Sequence, residues 1–263
     1  MLHAVKSPFC ILLVLALLAS GCATKRSTFQ ASKRVVHTFR HGFADTHLVS
    51  TNDSAWLMID SGGPGDAAAL EHDILAAGIR GEDIRAIVVT HGHWDHAGGA
   101  KYFQDKYGTP VFAGAGDERI LAQGHAEPLC PVGLLARLRR NDDESIYFEA
   151  PRELRFVSAP TELSTINVNL EGTVTPTSDH TDGSVVVVVR GTPTLVFVGD
   201  MFRGSLVGPG ASAHFYNCDL DRNARVIGAL ARSVPDDAVY FPGHFGPLAQ
   251  EDVAKAFAQT NVP

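Results

Sequence analysis

The stretch that decides the reading is Ile84-Arg85-Ala86-Ile87-Val88-Val89-Thr90-His91-Gly92-His93-Trp94-Asp95-His96-Ala97-Gly98-Gly99-Ala100. Its first seven residues are the apolar, β-branched composition of a buried strand. Ala97 to Ala100 reads as the tight entry to a helix. Between them, His91, His93, Asp95 and His96 crowd three imidazoles and a carboxylate into six residues. Strand, ligand-bearing turn, helix is the arrangement by which α/β proteins present chemistry at a strand's carboxyl end. A His-rich surface loop is the bland competitor, but such loops seldom follow a buried strand with HxHxDH spacing, which suits a divalent metal.

Three further groups repeat that placement. His180 follows the strand Thr173–Thr177, Asp200 ends the strand Thr194–Val198, and His244 ends the strand Ala238–Phe241. One sheet edge collects all of them if these strands are neighbours. Asp200 follows Val-Phe-Val-Gly directly, where an unpaired buried carboxylate costs several kcal/mol and a metal offsets that cost. His37, His41, His47, His72, His125 and His214 lack this context and read as surface or packing histidines; His214, beside Tyr216 and Asn217, is the least clear-cut of them.

The ordered set His91, His93, Asp95, His96, His180, Asp200, His244 resembles the metallo-β-lactamase superfamily, from about Val35 to the chain end. Ile59-Asp60-Ser61-Gly62 looks like that family's strand-end Asp-Thr-Gly element, with Ser for Thr; Asp179-His180-Thr181-Asp182-Gly183 departs from its usual Gly-His-Thr/Ser-Pro-Gly turn. The resemblance implies an α/β fold, a four-layer αβ/βα sandwich of two mixed sheets with outer helices. It implies that His91, His93 and His180 bind one metal, that Asp95, His96 and His244 bind a second, and that Asp200 bridges them. Imidazole and carboxylate donors suit two Zn²⁺, which can share a hydroxide and lower its pKa to near neutrality. The implied activity is hydrolysis of an ester, lactone or thioester carbonyl, with Asp95 orienting the nucleophile. Asp60, Asp179 and Asp182 are candidates to accept the outer N–H of a ligating histidine, with an exposed turn carboxylate the equal alternative for the last two.

The family's true β-lactamases lack the bridging Asp, so Asp200 with His244 is more similar to the glyoxalase II and lactonase branches. The short run after His244 leaves no room for the helical glutathione-holding domain of a glyoxalase II, which favours a lactone or ester. Two alternatives stay open: a persulfide-dioxygenase-like enzyme holding one Fe²⁺ through His91, His180 and Asp200, and a β-lactam hydrolase.

Composition sets the frame. The chain has 263 residues with 45% apolar content, enough for one large domain, and Lys+Arg 22 against Asp+Glu 29 gives a net charge of −7. No basic run points to nucleic acid, so the expected partner is a small-molecule substrate. Phe9 to Leu18 is an apolar stretch of signal-peptide length, and Leu18-Ala19-Ser20-Gly21-Cys22 resembles a bacterial lipobox with Cys22 lipidated. Ala23 rather than Asp after the cysteine resembles outer-membrane sorting in Gram-negative bacteria. The expected organisation is a signal peptide over 1–21, a tether over 22–34 and one metal-binding domain over 35–263, in the cell envelope; a soluble periplasmic form is the alternative. Cys10 leaves with the signal, and Cys130 and Cys218 either pair or stay as separate thiols. From Gly114 to Pro151 the periodicity degrades into short helical fragments, the mark of an insertion forming a wall or lid.

Overall fold

The computed structural model describes residues 25–257. The lipobox reading at Leu18–Cys22, the fate of Cys10 and residues 258–263 lie outside them. Strands β1 (Lys25–Gln30), β2 (Val35–His41), β3 (Ala44–Ser50), β4 (Trp56–Ile59), β5 (Ile84–Val89), β6 (Val111–Gly114) and β7 (Leu154–Val157) form one sheet in that order. β1 to β4 pair antiparallel and β4 to β7 parallel. The second sheet holds β8 (Thr161–Glu162), β9 (Gly172–Pro176), β10 (Val185–Val189), β11 (Leu195–Gly199), β14 (Val239–Pro242) and β15 (Leu248–Ala249), in the order β15-β14-β11-β10-β9-β8. A short ribbon pairs β12 (Arg203–Gly204) with β13 (Ala211–Ser212).

The two sheets face each other. Alternate residues of each strand supply the seam, Ala86 and Val88 from β5 meeting Val185, Val187 and Val189 from β10, with Phe197 and Phe241 filling the centre. The other face of β5, Ile87 and Val89, packs with Leu70 and Ile74 of α1 (Ala67–Ala76), Ala97 of the single-turn α2 (Trp94–Ala97) and Phe103 of α3 (Ala100–Tyr107). Val186, Val196 and Val198 likewise meet Ile227 of α6 (Leu220–Ser233) and Val253 of α7 (Gln250–Phe257). Covering both faces of both sheets explains why β5 and β10 read as continuous apolar runs rather than alternating ones. The result is the four-layer sandwich.

One sequence expectation needs correction. The polar run through residue 34 is not wholly a tether: Lys25–Gln30 pairs antiparallel with β2, from Lys25 opposite Arg40 to Gln30 opposite Val35, and Phe29 packs edge-on against Phe241 with centroids 5.6 Å apart. An edge strand needs backbone pairing and one apolar anchor, so its polar composition concealed it. In α1, Leu70 and Ile74 are buried while Leu75 is 50% exposed, because a one-residue step rotates it about 100° away from Ile74.

The 114–151 stretch carries α4 (Glu118–Gln123) and α5 (Leu134–Glu144). It is fastened to the segment after β13: Cys130 and Cys218 form a disulfide, Asn217 N–H donates to the Cys130 carbonyl (2.9 Å), and Val132 N–H donates to the Phe215 carbonyl (2.6 Å).

Candidate metal centre

All seven predicted side chains meet where β5, β9, β11 and β14 end. The turn after β5 is held from below by Asp60, at the end of β4 in a left-handed conformation (φ 60°). Its carboxylate accepts from Thr90 N–H (2.7 Å), Thr90 Oγ1–H (2.8 Å) and His96 Nδ1–H (2.8 Å). With its proton committed to Asp60, the Thr90 oxygen accepts from His91 Nδ1–H at 3.2 Å. Both histidines therefore turn Nε2, with its lone pair, towards the centre. His244 does the same, its Nδ1–H donating to the Phe43 carbonyl at 2.7 Å. Outer-nitrogen donation of this kind is the usual setting of a metal-ligating histidine.

The inward atoms fall into two clusters that share Asp200. In the first, His93 Nδ1 lies 3.1 Å from both His91 Nε2 and His180 Nε2, and Asp200 Oδ2 is 3.5 and 3.7 Å from those two nitrogens. In the second, Asp200 Oδ1 is 3.3 Å from His96 Nε2 and from His244 Nε2, while Asp95 Oδ2 is 3.7 and 3.6 Å from the same pair. Ligands of a tetrahedral zinc at about 2.0–2.1 Å sit roughly 3.3 Å from one another. His96 Nε2 and Asp200 Oδ1 are also fully buried without a hydrogen-bond partner. Buried polar atoms are ordinarily satisfied, so a cluster of orphaned donors at ligand spacing fits a metal better than a packing role.

Asp200 reaches this position through Gly199, whose φ of +51° coincides with a register shift between β11 and β14. A β-carbon there would also lie 2.4 Å from Thr90 Oγ1. Across the centre, a β-carbon on Gly243 would come 2.4 Å from His96 Cε1 and 2.6 Å from Asp200 Oδ1, so glycine keeps the floor open.

The electrostatics divide along the same line. Burial, with the neighbouring histidines, pushes His91 and His180 well below the usual imidazole range; burial also lowers His93, against the pull of Asp95 and Asp200. Burial alone would lower His96 and His244 too, but Asp200 and Asp95 outweigh it and hold both above that range. Burial opposes the charge on Asp200, yet the surrounding histidines hold its carboxyl well below the ordinary range.

Two residues escaped the sequence reading. Asp117, fully buried just after β6, accepts from Gly92 N–H (2.7 Å), Gly183 N–H (2.8 Å) and Thr181 Oγ1–H (2.7 Å), pinning the His91–His93 turn to the His180 turn. It follows a strand end as the ligands do, but no histidine beside it marks it. His214, expected to be a packing or surface histidine, is 4% exposed and places Nε2 3.0 Å from Asp200 Oδ2. Of the suspected supports, Asp60 holds a ligand. Asp179 is buried and accepts from Thr177 Oγ1–H (2.5 Å), with burial pushing it up to about 6, and Asp182 is exposed in the turn. His47 is a packing histidine between the sheets, its Nε2 3.1 Å from the Pro242 carbonyl.

Residues 40–244 match the Metallo-beta-lactamase superfamily. The chain belongs to that superfamily. Among curated proteins it is similar to a hydroxyacylglutathione hydrolase of Alkalilimnicola ehrlichii, 34% identical over 90 residues, or 33% of this chain and 32% of the relative. The chain thus matches about a third of that relative's length. Among solved structures, Rm3 metallo-beta-lactamase superposes with a TM-score of 0.62 at 20% identity, covering 86% of this chain and 81% of that one. MIM-2 metallo-beta-lactamase gives 0.62 at 20% over 93% and 92%, and BJP-1 of Bradyrhizobium japonicum, a subclass B3 metallo-beta-lactamase, gives 0.61 at 20% over 86% and 80%. At these identities the superpositions establish the shared fold.

Proposed function

We propose that this superfamily member is a dinuclear-zinc hydrolase acting on an ester, lactone or thioester carbonyl of a small molecule. The observation that carries the reading is Asp200, which turns one carboxylate oxygen to each of two ligand clusters. His91, His93 and His180 would hold one ion, and Asp95, His96 and His244 the other. Bound there, the pair would supply a water of lowered pKa and Lewis-acid polarisation of the carbonyl. The chain's residues do the rest. Asp60 and Thr90 fix the ring orientations of His91 and His96 before substrate arrives, so no reorganisation is needed during reaction. Asp95, whose side chain is 21% exposed against 2% for Asp200, stands where it can orient an attacking water and hold its proton on a carboxylate oxygen. Phe43, 47% exposed, and Phe245 flank His244 and offer an apolar surface to an acyl or aryl group.

A hydrolysis screen across lactones, thioesters, aryl esters and β-lactams, run with metal quantification, tests this. Two zinc ions per chain with chelator-sensitive turnover of an O- or S-acyl substrate is the expected outcome. One iron with oxygen uptake overturns it in favour of the dioxygenase-like enzyme, and turnover of β-lactams alone moves the substrate class.

We also infer export and lipidation at Cys22. The Leu18–Cys22 motif supports this, and the Cys130–Cys218 disulfide suits an oxidising compartment. Cys22→Ser is expected to move the protein from the membrane to the soluble fraction; continued membrane association rules the lipid anchor out.

A further inference from the structure

We propose that His214 is an eighth metal-ligand residue of this centre, binding alongside His244 and Asp200. The assignment rests on the two-metal reading above.

Three observations converge on it. First, His214 Nε2 is buried, has no hydrogen-bond partner, and sits 3.0 Å from Asp200 Oδ2, against 3.1–3.7 Å among the other inward atoms. The orphaned His96 Nε2 shares this signature. A histidine placed only to hydrogen-bond Asp200 would aim its N–H along the acceptor's lone pair at that distance, and this one does not. Second, its ring stacks on that of His244, with centroids 5.2 Å apart and planes 23° from parallel, and it meets the His180 ring edge-on at 4.9 Å. Asp200, His214 and His244 thus offer three donor atoms within 4.8 Å of one another. Third, the outer nitrogen is engaged by the Tyr216 backbone, 3.3 Å from its carbonyl and 3.2 Å from its N–H; metal binding at Nε2 selects the tautomer whose Nδ1–H donates to the carbonyl, as His244 Nδ1–H donates to Phe43.

The loop bearing His214 is not free to drift. The Cys130–Cys218 disulfide and two backbone hydrogen bonds fasten residues 215–218 to the 114–151 stretch, and Asn217 Nδ2 donates to the Asp179 carbonyl beside His180 (3.3 Å). Orientation fixed in advance is what a metal ligand requires, because the ordering cost is met on folding rather than on binding. None of this fastening is needed by a surface histidine.

The test titrates metal-free wild type, His214→Ala and His214→Gln with Zn²⁺ against a competing chelator, and records ligand-field spectra of the Co²⁺-loaded proteins. Wild type is expected to take two equivalents. Both variants should keep one equivalent within about threefold and weaken the other at least tenfold, comparable to the 10–100-fold loss that follows removal of a ligand's support. Their Co²⁺ bands should shift in position and intensity, since a nitrogen donor has left the coordination sphere. His214→Gln keeps volume and polarity, so a fold defect confined to the Ala variant leaves the measurement intact. Two equivalents in wild type, with affinities and Co²⁺ spectra unchanged in both variants, overturn the role of His214 alone. A wild type that takes a single equivalent overturns the two-metal reading, and this assignment with it.

Discussion

The two ligand clusters that share Asp200 are built from different chemistry. The His91–His93–His180 cluster has three imidazoles and one carboxylate oxygen, and its outer support is the Asp117 staple acting through the two turns, with Asp60 reaching His91 only by way of Thr90. The Asp95–His96–His244 cluster has two imidazoles and oxygens from two carboxylates, and its support is Asp60 bonded directly to a ligand ring. One side is therefore kept neutral by burial, and the other is kept proton-loving by its carboxylates. Two ions held by such clusters would not be bound with the same strength or lost under the same conditions.

The sharpest way to break this division is to remove its hinge. Asp200→Ala should leave at most one metal per chain and reduce hydrolysis roughly a thousandfold, the loss expected when several kcal/mol of metal-derived stabilisation disappear. Metal analysis with kinetics checks it, and unaltered metal content would rule out bridging.

The supports should then separate the clusters. Asp60→Asn is expected to weaken the ion held by His96 by about 10–100-fold and the other, which it reaches only through Thr90 and His91, by less. Asp117→Asn should do the reverse, by about tenfold or less, because it acts through the turns rather than on a ring. Chelator competition on both variants is the measurement, and equal loss of both ions from either one would dissolve the distinction.

The smallest effect should appear on acidification. Metal and proton compete for the same Nε2 atoms. His96 and His244, raised by Asp200 and Asp95 against burial, take up protons at higher pH than His91 and His180, which burial lowers. Lowering the pH should therefore release the second ion first and pass through a one-metal form. Loss of both ions in a single step, followed by metal content against pH, would contradict that order.

Legibility in the sequence followed the same physical divide. The seven side chains that cluster at the sheet edge were readable because each is chemically conspicuous where a strand ends, and β5, β10 and β11 were readable because a strand buried on both faces is apolar throughout. β1 was not, since an edge strand pairs through its backbone and needs no pattern beyond Phe29. Asp117 was not, since a carboxylate that accepts from backbone N–H groups leaves no partner residue type in the sequence. His214 lay among ordinary loop residues, and only its approach to Asp200 distinguishes it from His47, equally buried but packed between the sheets.

By itself, then, the sequence determined the superfamily, the layered α/β architecture and the seven side chains that converge at the sheet edge, because local composition records burial and side-chain chemistry. The tertiary structure alone decided which oxygen of Asp200 faces which cluster, that Cys130 and Cys218 are bonded, and that the His214 loop is drawn over the centre. Those depend on distances between segments far apart in the chain, which the order of residues does not encode locally.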